Sequence, residues 1–133
     1  MPTPLAQAKK SAFDIANQLD DAADAIRDRS RQAYAAGKMS LDEYTDARIK
    51  EMELRAEASV VAAVNLGAAL DAGAQAGQNI EQAIADAKAR IETVKTFRKG
   101  LEIVAALVVL AGALASGNAK AVVKAGKGVA DLV

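Results

Sequence analysis

The sequence has neither cysteine nor histidine, and these two absences exclude most of the chemistry open to a small protein. Without thiols there is no disulfide and no thiol nucleophile, and without imidazole there is no usual ligand set for zinc, copper or haem. The serines and threonines consequently lack the His or Cys partner that nucleophilic catalysis requires. We therefore predict a protein that is not an enzyme, with no catalytic residues, no metal site, no cofactor and no small-molecule substrate.

Proline is nearly absent as well, since Pro2 and Pro4 are the only two in the chain. Aromatic residues number four, whereas alanine fills 33 of the 133 positions. A proline-free chain from Leu5 to Val133 that is rich in Ala, Gln, Leu, Arg and Glu favours helices. The predicted fold class is all-α, as an elongated antiparallel bundle of three long helices with a C-terminal apolar helical hairpin.

The chain also lacks net charge, because 17 basic residues balance 17 acidic ones. No overall field attracts nucleic acid, so we expect no nucleic-acid partner. The charge is nevertheless segregated: residues 1–100 hold 14 basic and 15 acidic side chains, whereas residues 101–133 hold three lysines, one Glu and one Asp. We accordingly divide the chain into an amphipathic, Ala-rich bundle (1–100) and an apolar helix followed by a short Lys-striped helix (101–133), both within one domain when the protein is soluble.

Heptad spacing predicts the first helix, from Pro4 or Leu5 to a stop at Gly37. Its seam alternates steps of three and four: Leu5, Ala8, Ala12, Ile15, Leu19, Ala22 and Ile26. Ser40 and Glu43 have the spacing of a capping box, so a tight antiparallel turn should lead directly into the second helix.

The second helix is predicted from Leu41 to about Ala72, with i,i+4 ion pairs Asp46–Lys50 and Glu51–Arg55. We expect one face to carry its apolar residues: Leu41, Tyr44, Met52, Ala56, Val60, Ala63 and Leu70. The Gly-rich stretch from Gly73 to Asn79 predicts a turn or a kink, with Asn79 as the next N-cap.

The third helix is predicted to continue through Phe97 and Leu101 into the apolar run, with Gly100 as a site for a kink. Its seam is Ile80, Ile84, Ala87, Ile91 and Val94. Gly117 and Asn118 should end this helix, and Ala119–Leu132 should form a short fourth one.

Residues 32–57 resemble the SHOCT-type short helical hairpin of bacterial proteins. In that family a helix ends at Gly, a hydrophobic residue follows, and Ser or Thr then caps an acidic helix that contains an aromatic residue. These places are filled here by Gly37, Met39, Ser40, Asp42, Glu43 and Tyr44. The resemblance covers about a fifth of the chain and implies a bacterial or phage origin and a role in helix pairing.

An acidic cluster on the first helix, formed by Asp20, Asp21, Asp24 and Asp28, raises the question of a cation site. It lacks the loop spacing of a calcium site, and arginines lie among its members. We interpret it as a solvated helix face.

The feature that bears most on function is the charge-free run Ile103–Ala119, which has basic residues on both sides. As a helix its seventeen residues reach about 25 Å, just short of a typical hydrocarbon core of about 30 Å. Length alone therefore leaves two alternatives open, a buried core helix and a membrane-spanning helix.

The last predicted helix places Lys120, Lys124 and Lys127 along one stripe, with valines on its other faces. Such a stripe suits either an interfacial helix on anionic lipid or the solvent face of a bundle helix. The candidate membrane- or partner-contacting residues are Leu101, Ile103, Val104, Leu107, Val108, Leu110, Leu114, Val122, Val123, Val129 and Leu132. The candidate flanking cations are Lys95, Arg98, Lys99, Lys120, Lys124 and Lys127.

Two functions follow from these alternatives. In the first, the C-terminal hairpin engages or inserts into membranes, as in a small bacterial effector or membrane-perturbing toxin, and the layout is analogous to that of α-helical pore-forming toxins. In the second, the protein is a phage or secretion-system adaptor that uses the same surface for partner helices, and no lipid is involved. We expect a homo-oligomer or a partner that covers Ile103–Leu114. No secretory signal is visible, so synthesis in the cytoplasm is expected, with membrane association or export without a cleaved signal left open.

Overall fold

Helices make up nearly all of the chain that the structure describes. The computed structural model describes residues 4–63 and 74–133, and these two ranges contain five helices and no strand. The helices are α1 (Pro4–Ala35), α2 (Leu41–Ala63), α3 (Ala74–Thr93), α4 (Phe97–Ser116) and α5 (Ala119–Leu132). The predicted all-α fold class is confirmed.

The turn between α1 and α2 has the chemistry that its sequence predicts. Gly37 adopts the left-handed conformation at φ +71°, and the amide of Lys38 donates to the carbonyl oxygen of Ala33 at 2.9 Å, which closes α1. The amide of Ser40 donates to Glu43 Oε1 at 3.2 Å, and the amide of Glu43 donates to Ser40 Oγ at 3.1 Å. This reciprocal pair is the predicted capping box, and it satisfies two amides that the helix itself cannot.

Contacts between side chains show that α1 and α2 run antiparallel. The rings of Tyr34 and Tyr44 stack next to the turn with their centroids 4.6 Å apart. Further from the turn, Arg55 Nη2 lies 2.6 Å from Asp24 Oδ1. Because positions earlier in α1 meet positions later in α2, the two helices form an antiparallel pair.

Helix α3 runs in the same direction as α1 and lies against it. Gln18 and Asp21 share a cleft with Ala85 and Lys88, and two turns further along Arg29 Nη1 donates to the carbonyl oxygen of Ile91 at 2.8 Å. Arg29 Nη2 also donates to the carbonyl oxygen of Val94. This cation therefore satisfies two carbonyls at the C-terminal end of α3, where its charge also complements the helix dipole.

Helix α4 lies at the centre of the bundle and packs against each of the other four helices. Its inner side joins a single core formed by all five helices. The bulky side chains that are fully buried there are Ile15, Leu19, Ile26, Leu54, Val61, Ile84, Ile91, Ile103, Leu107, Leu110 and Leu114.

The predicted seams of the first and third helices are confirmed where their side chains are described. In α1 the residues from Ala12 to Ile26 in that seam are buried. The five predicted residues of the third seam, four in α3 and Val94 directly after it, are at most 5% exposed. The side chains of Leu5 and Ala8 lie outside the described residues.

The apolar face predicted for the second helix does not face the core. Leu41, Met52 and Val60 are 63%, 61% and 46% exposed, and Ala56 and Ala63 are exposed as well. The core is instead covered by the opposite face: Ala47, Glu51, Leu54, Ala58 and Val61. Helix α2 carries apolar residues on both sides, and the side with the small Ala47 and Ala58 allows the closer approach to Ala-rich α1. Leu70 lies outside the described residues.

The predicted continuous third helix is two helices. Thr96 has an extended backbone (φ −111°, ψ 137°) and separates α3 from α4, while Gly100, the expected kink, lies inside α4. The break is stabilised by Arg29, which binds the carbonyls that α3 leaves free. Asn79 is not an N-cap, because α3 already includes Ala74; Gly73 itself lies outside the described residues.

The predicted end of the apolar helix and start of the last one are confirmed. Gly117 has a φ of +73°, and Asn118 Oδ1 accepts a hydrogen bond from the amide of Ala121 at 3.2 Å. Ala106 and Leu132 line one shared groove together with Ala113 and Ala121, so α4 and α5 lie side by side in opposite directions.

Candidate functional site

Helix α4 is apolar on its outer side as well as on its inner side. By length and composition alone, Phe97–Ser116 could cross a membrane. Only 39% of its most apolar 18-residue window is buried in the bundle. A helix that is hydrophobic all round is ordinarily buried all round. The outer side of α4 is therefore an apolar surface that the bundle leaves uncovered.

That outer side exposes small, uncharged residues. Val109 is 62% exposed, and Ala105, Ala106, Gly112 and Ala113 are half-buried around it. The sequence has no charged residue between Glu102 and Lys120. We call these five residues the α4 outer face.

An apolar groove continues from the α4 outer face onto α5. Its volume is about 630 Å³. The floor consists of short side chains, and Lys124 and Asp131 supply its charged groups; the lining residues are Ala106, Val109, Ala113, Ala121, Lys124, Ala125, Gly128, Asp131 and Leu132. Because Ala and Gly leave room beside the helix backbones, the groove can accept an acyl chain or the side chains of a partner helix.

The lysine stripe lies next to this groove. Lys120, Lys124 and Lys127 are all exposed, on the side of α5 away from the buried Val122 and Val129. Asn118 fixes the first turn of α5, which sets the rotation of the stripe relative to the core. The result is an uncharged face with three cations beside it.

The structure distributes the predicted contact residues over three environments. Seven are buried in the core: Ile103, Val104, Leu107, Leu110, Leu114, Val122 and Val129. Leu101, Val108 and Leu132 are half-buried, and Val123 is 59% exposed.

The predicted flanking cations lie in two groups, one on each side of the apolar run. Lys95, Arg98 and Lys99 lie at the start of α4, where Lys99 Nζ is 3.8 Å from Glu102 Oε2, and the three lysines of α5 form the other group. Val109, Ala106 and Ala113 were not among the predicted contact residues, although they lie on the surface. They lie opposite the largest side chains of α4, and this helical spacing could have indicated that they face outward.

A second charged feature joins α1 to α2. Arg55 Nε donates to Glu51 Oε2 at 2.9 Å, and Arg55 Nη2 donates to Asp24 Oδ1 at 2.6 Å. The hydrogen bond from Arg55 lowers the pKa of Asp24, whereas burial raises the pKa of Asp20 one turn earlier. For Arg55, burial lowers the pKa, but the hydrogen bonds to Asp24 and Glu51 and the charges of these two carboxylates together raise it. Arg55 therefore stays charged and holds the two helices together.

The acidic cluster of α1 binds cationic side chains. Asp28 Oδ1 lies 3.2 Å from Arg27 Nε, and Asp24 Oδ1 lies 3.5 Å from Arg27 Nη1. Within residues 4–63 and 74–133, no group of three or more acidic side chains is arranged to hold a metal ion. Asp21 and Asp28 are exposed, as the interpretation of a solvated face predicts, whereas Asp20 and Asp24 are half-buried and Asp24 pairs with Arg55 of α2.

Comparison with protein-family models, with curated proteins and with solved structures finds no match to this chain. The local resemblance of residues 32–57 to the SHOCT-type hairpin thus does not extend to a match with a family model.

Proposed function

We propose that this is a non-enzymatic helical protein whose α4–α5 pair engages anionic membranes, as a small bacterial effector or membrane-perturbing protein. The observation that supports the proposal most strongly is the α4 outer face, an exposed and uncharged surface with the lysines of α5 beside it. Lysines near an anionic leaflet contribute about 1 kcal/mol each, and apolar side chains add to this when they enter the interface. The proposal includes synthesis in the cytoplasm, followed by contact with a membrane.

Energetics favour docking of the folded bundle over spontaneous insertion. The seven Leu, Ile and Val residues of the charge-free run contribute roughly −2 to −4 kcal/mol to insertion as a helix. Withdrawing α4 would also uncover its core partners, including Ile15, Leu19 and Ile84, which are fully buried. Each such side chain loses about 1.5–3 kcal/mol when it returns to water. Docking through the α4 outer face is therefore the first step, and insertion needs further binding energy.

The test of docking is flotation of the full-length protein with vesicles. We expect it to float with vesicles that contain phosphatidylserine and to remain in solution with purely zwitterionic vesicles. Val109→Asp should reduce flotation because it places a carboxylate on the α4 outer face, where Val109 is 62% exposed. Phe13→Asp on α1, where Phe13 is 58% exposed, is the matched control and should float like the wild type.

The runner-up function is that of an assembly or adaptor protein that binds a partner helix in the groove between α4 and α5. The small residues along that groove favour it, since they let another helix approach closely. Equal failure of the wild type and both variants to float, with all three folded, would overturn the membrane proposal and leave the adaptor function in its place.

A further inference from the structure

Helix α2 has an apolar face that points away from the core. Ile49, Met52 and Val60 are 47%, 61% and 46% exposed. Together with the exposed Ala56 and Ala63 they lie opposite the buried Leu54 and Val61. We call these five exposed residues the α2 outer stripe.

The face of α2 that carries this stripe has a seam with heptad spacing, and Val60 lies beside the seam. Ile49, Ala56 and Ala63 occupy one seam position, and Thr45, Met52 and Ser59 occupy the other, with alternating steps of four and three. The two hydroxyl groups in the seam are already satisfied within the helix. Thr45 Oγ1 donates to the carbonyl oxygen of Leu41 at 2.8 Å, and Ser59 Oγ donates to that of Arg55 at 3.2 Å. The seam can therefore lose water without leaving these groups unpaired.

Charges on the two sides of the seam have opposite sign. Arg48 and Arg55 precede the Ile49 and Ala56 positions, whereas Asp46 and Glu53 follow the Thr45 and Met52 positions. In a parallel pair of identical helices, the position just before Ile49 or Ala56 in one helix faces the position five residues later in the other helix. Arg48 of each copy would then meet Glu53 of the other. An antiparallel pair would instead bring like charges together.

Both members of this charge pair are accessible. Arg48 is exposed and makes no ion pair among the residues that the structure describes, and the Glu53 side chain is 45% exposed. Glu53 lies 3.4 Å from Lys50 in the same helix, an exposed pair of the kind that contributes little. Arg55 is already bound to Asp24 and Glu51, so the Arg48–Glu53 pair is the one available to set orientation.

We propose that two copies of this chain pair through α2, in parallel and in register, with Arg48 of each copy bound to Glu53 of the other. The seam runs from Thr45 to Ala63, and these 19 residues of α2 span about 28 Å. It is narrow, and much of it is Ala, Thr or Ser. The contact is therefore smaller than the roughly 800 Å² per partner of a standard interface, and the dimer is weak and reversible.

Charge reversal tests the pairing in the full-length protein. Sedimentation at increasing concentration up to about 500 μM should show the wild-type mass rising from 13.7 kDa toward twice that value. Arg48→Glu alone and Glu53→Arg alone should each weaken dimerisation by about tenfold or more, since attraction becomes repulsion at two symmetric sites. The double variant Arg48→Glu/Glu53→Arg should dimerise like the wild type. A constant wild-type mass, or a double variant as weak as the single ones, would overturn the proposal.

Cysteine crosslinking tests the orientation, and the cysteine-free sequence makes it clean. In a parallel pair in register, Thr45→Cys should crosslink with itself under mild oxidation, and so should Ser59→Cys. In an antiparallel pair centred on the seam, Thr45 would face Ala63 of the other copy, so Thr45→Cys would crosslink with Ala63→Cys when the two are mixed but not with itself. Val123→Cys, exposed on α5, is the control for random collision and should crosslink at least about tenfold more slowly. Equal rates for all three variants would contradict a specific α2 interface.

Discussion

Arg55 is the side chain whose loss should cost the fold most at the α1–α2 contact. Its guanidinium binds Glu51, which is 7% exposed, and Asp24 on the facing helix. Replacing it, as in Arg55→Met, leaves the buried Glu51 carboxylate without its cation. We expect a loss of about 2–3 kcal/mol in the free energy of unfolding, measured by urea denaturation.

The matched variant for this prediction removes both charges. Glu51→Leu/Arg55→Met leaves no stranded carboxylate, so it should be clearly more stable than Arg55→Met alone. If the two variants unfold at the same urea concentration, the penalty does not come from Glu51.

Acid should weaken the same contact through Asp24. The folded-state pKa of Asp24 is lowered by its hydrogen bond from Arg55, so the bond contributes stability above the unfolded-state pKa of about 3.9. That contribution is lost as the pH falls through the lower folded value. Compared with the wild type, Asp24→Asn should show a shallower fall in stability between pH 5 and pH 3, followed by urea denaturation at each pH.

Asp20 provides a control, because its folded-state pKa is shifted in the opposite direction to that of Asp24. Burial raises its folded-state pKa, so protonation on acidification relieves a penalty and partly offsets the loss at Asp24. Asp20→Asn removes that relief and should make the acid-induced fall steeper. Identical pH profiles for the two variants would contradict this assignment.

At the scale of the elements, the turn between α1 and α2 depends on two local devices. Ser40 caps α2, and Ser40→Ala should lower the free energy of unfolding by about 1 kcal/mol.

Gly37 has a φ of +71°, and Gly37→Ala should lower the free energy of unfolding by about 1–2 kcal/mol because a side chain disfavours that conformation.

Gly126 is the matched control for Gly37. It lies inside α5, and a Cβ added there would have nothing within 4 Å. Gly126→Ala should therefore stabilise the protein by about 0.5–1 kcal/mol. In thermal melts, Gly37→Ala should lower the Tm and Gly126→Ala should raise it. Tm shifts in the same direction would contradict the different backbone conformations of the two glycines.

The elements that sequence patterns predicted well are those with one apolar stripe and a local stop signal. Helices α1 and α3 each have a single heptad seam, and Gly37, Ser40 and Asn118 act within a few residues of themselves. Helix α2 has two apolar stripes, and the choice between them depends on which one fits α1. The break before α4 depends on Arg29, which is 62 residues from Ile91 in the chain, and no local pattern contains that information.

At the scale of the whole molecule, α4 packs against all four other helices. This position determines how much of the candidate site the sequence could predict. Charge patterning identified the run Ile103–Ala119 and the lysines beside it. It did not separate Leu110, which is fully buried, from Val109, which is 62% exposed, because that division depends on how the other helices surround α4. Since α4 fills the core, removing residues 101–133 would uncover α1–α3, so surface variants of the full chain are the appropriate probes.

If the surface of the α4–α5 pair binds anionic membranes, as we propose, neutralising the three lysines of α5 should weaken that binding. The variant Lys120→Gln/Lys124→Gln/Lys127→Gln should reduce the partition coefficient on phosphatidylserine vesicles by about 100-fold, at about 1 kcal/mol per lysine. The control Lys38→Gln/Lys50→Gln/Lys88→Gln changes the net charge equally but lies away from α4 and α5, in the α1–α2 turn, in α2 and in α3. The control should partition nearly like the wild type. Equal partition of the two folded variants would contradict membrane binding by the α4–α5 surface.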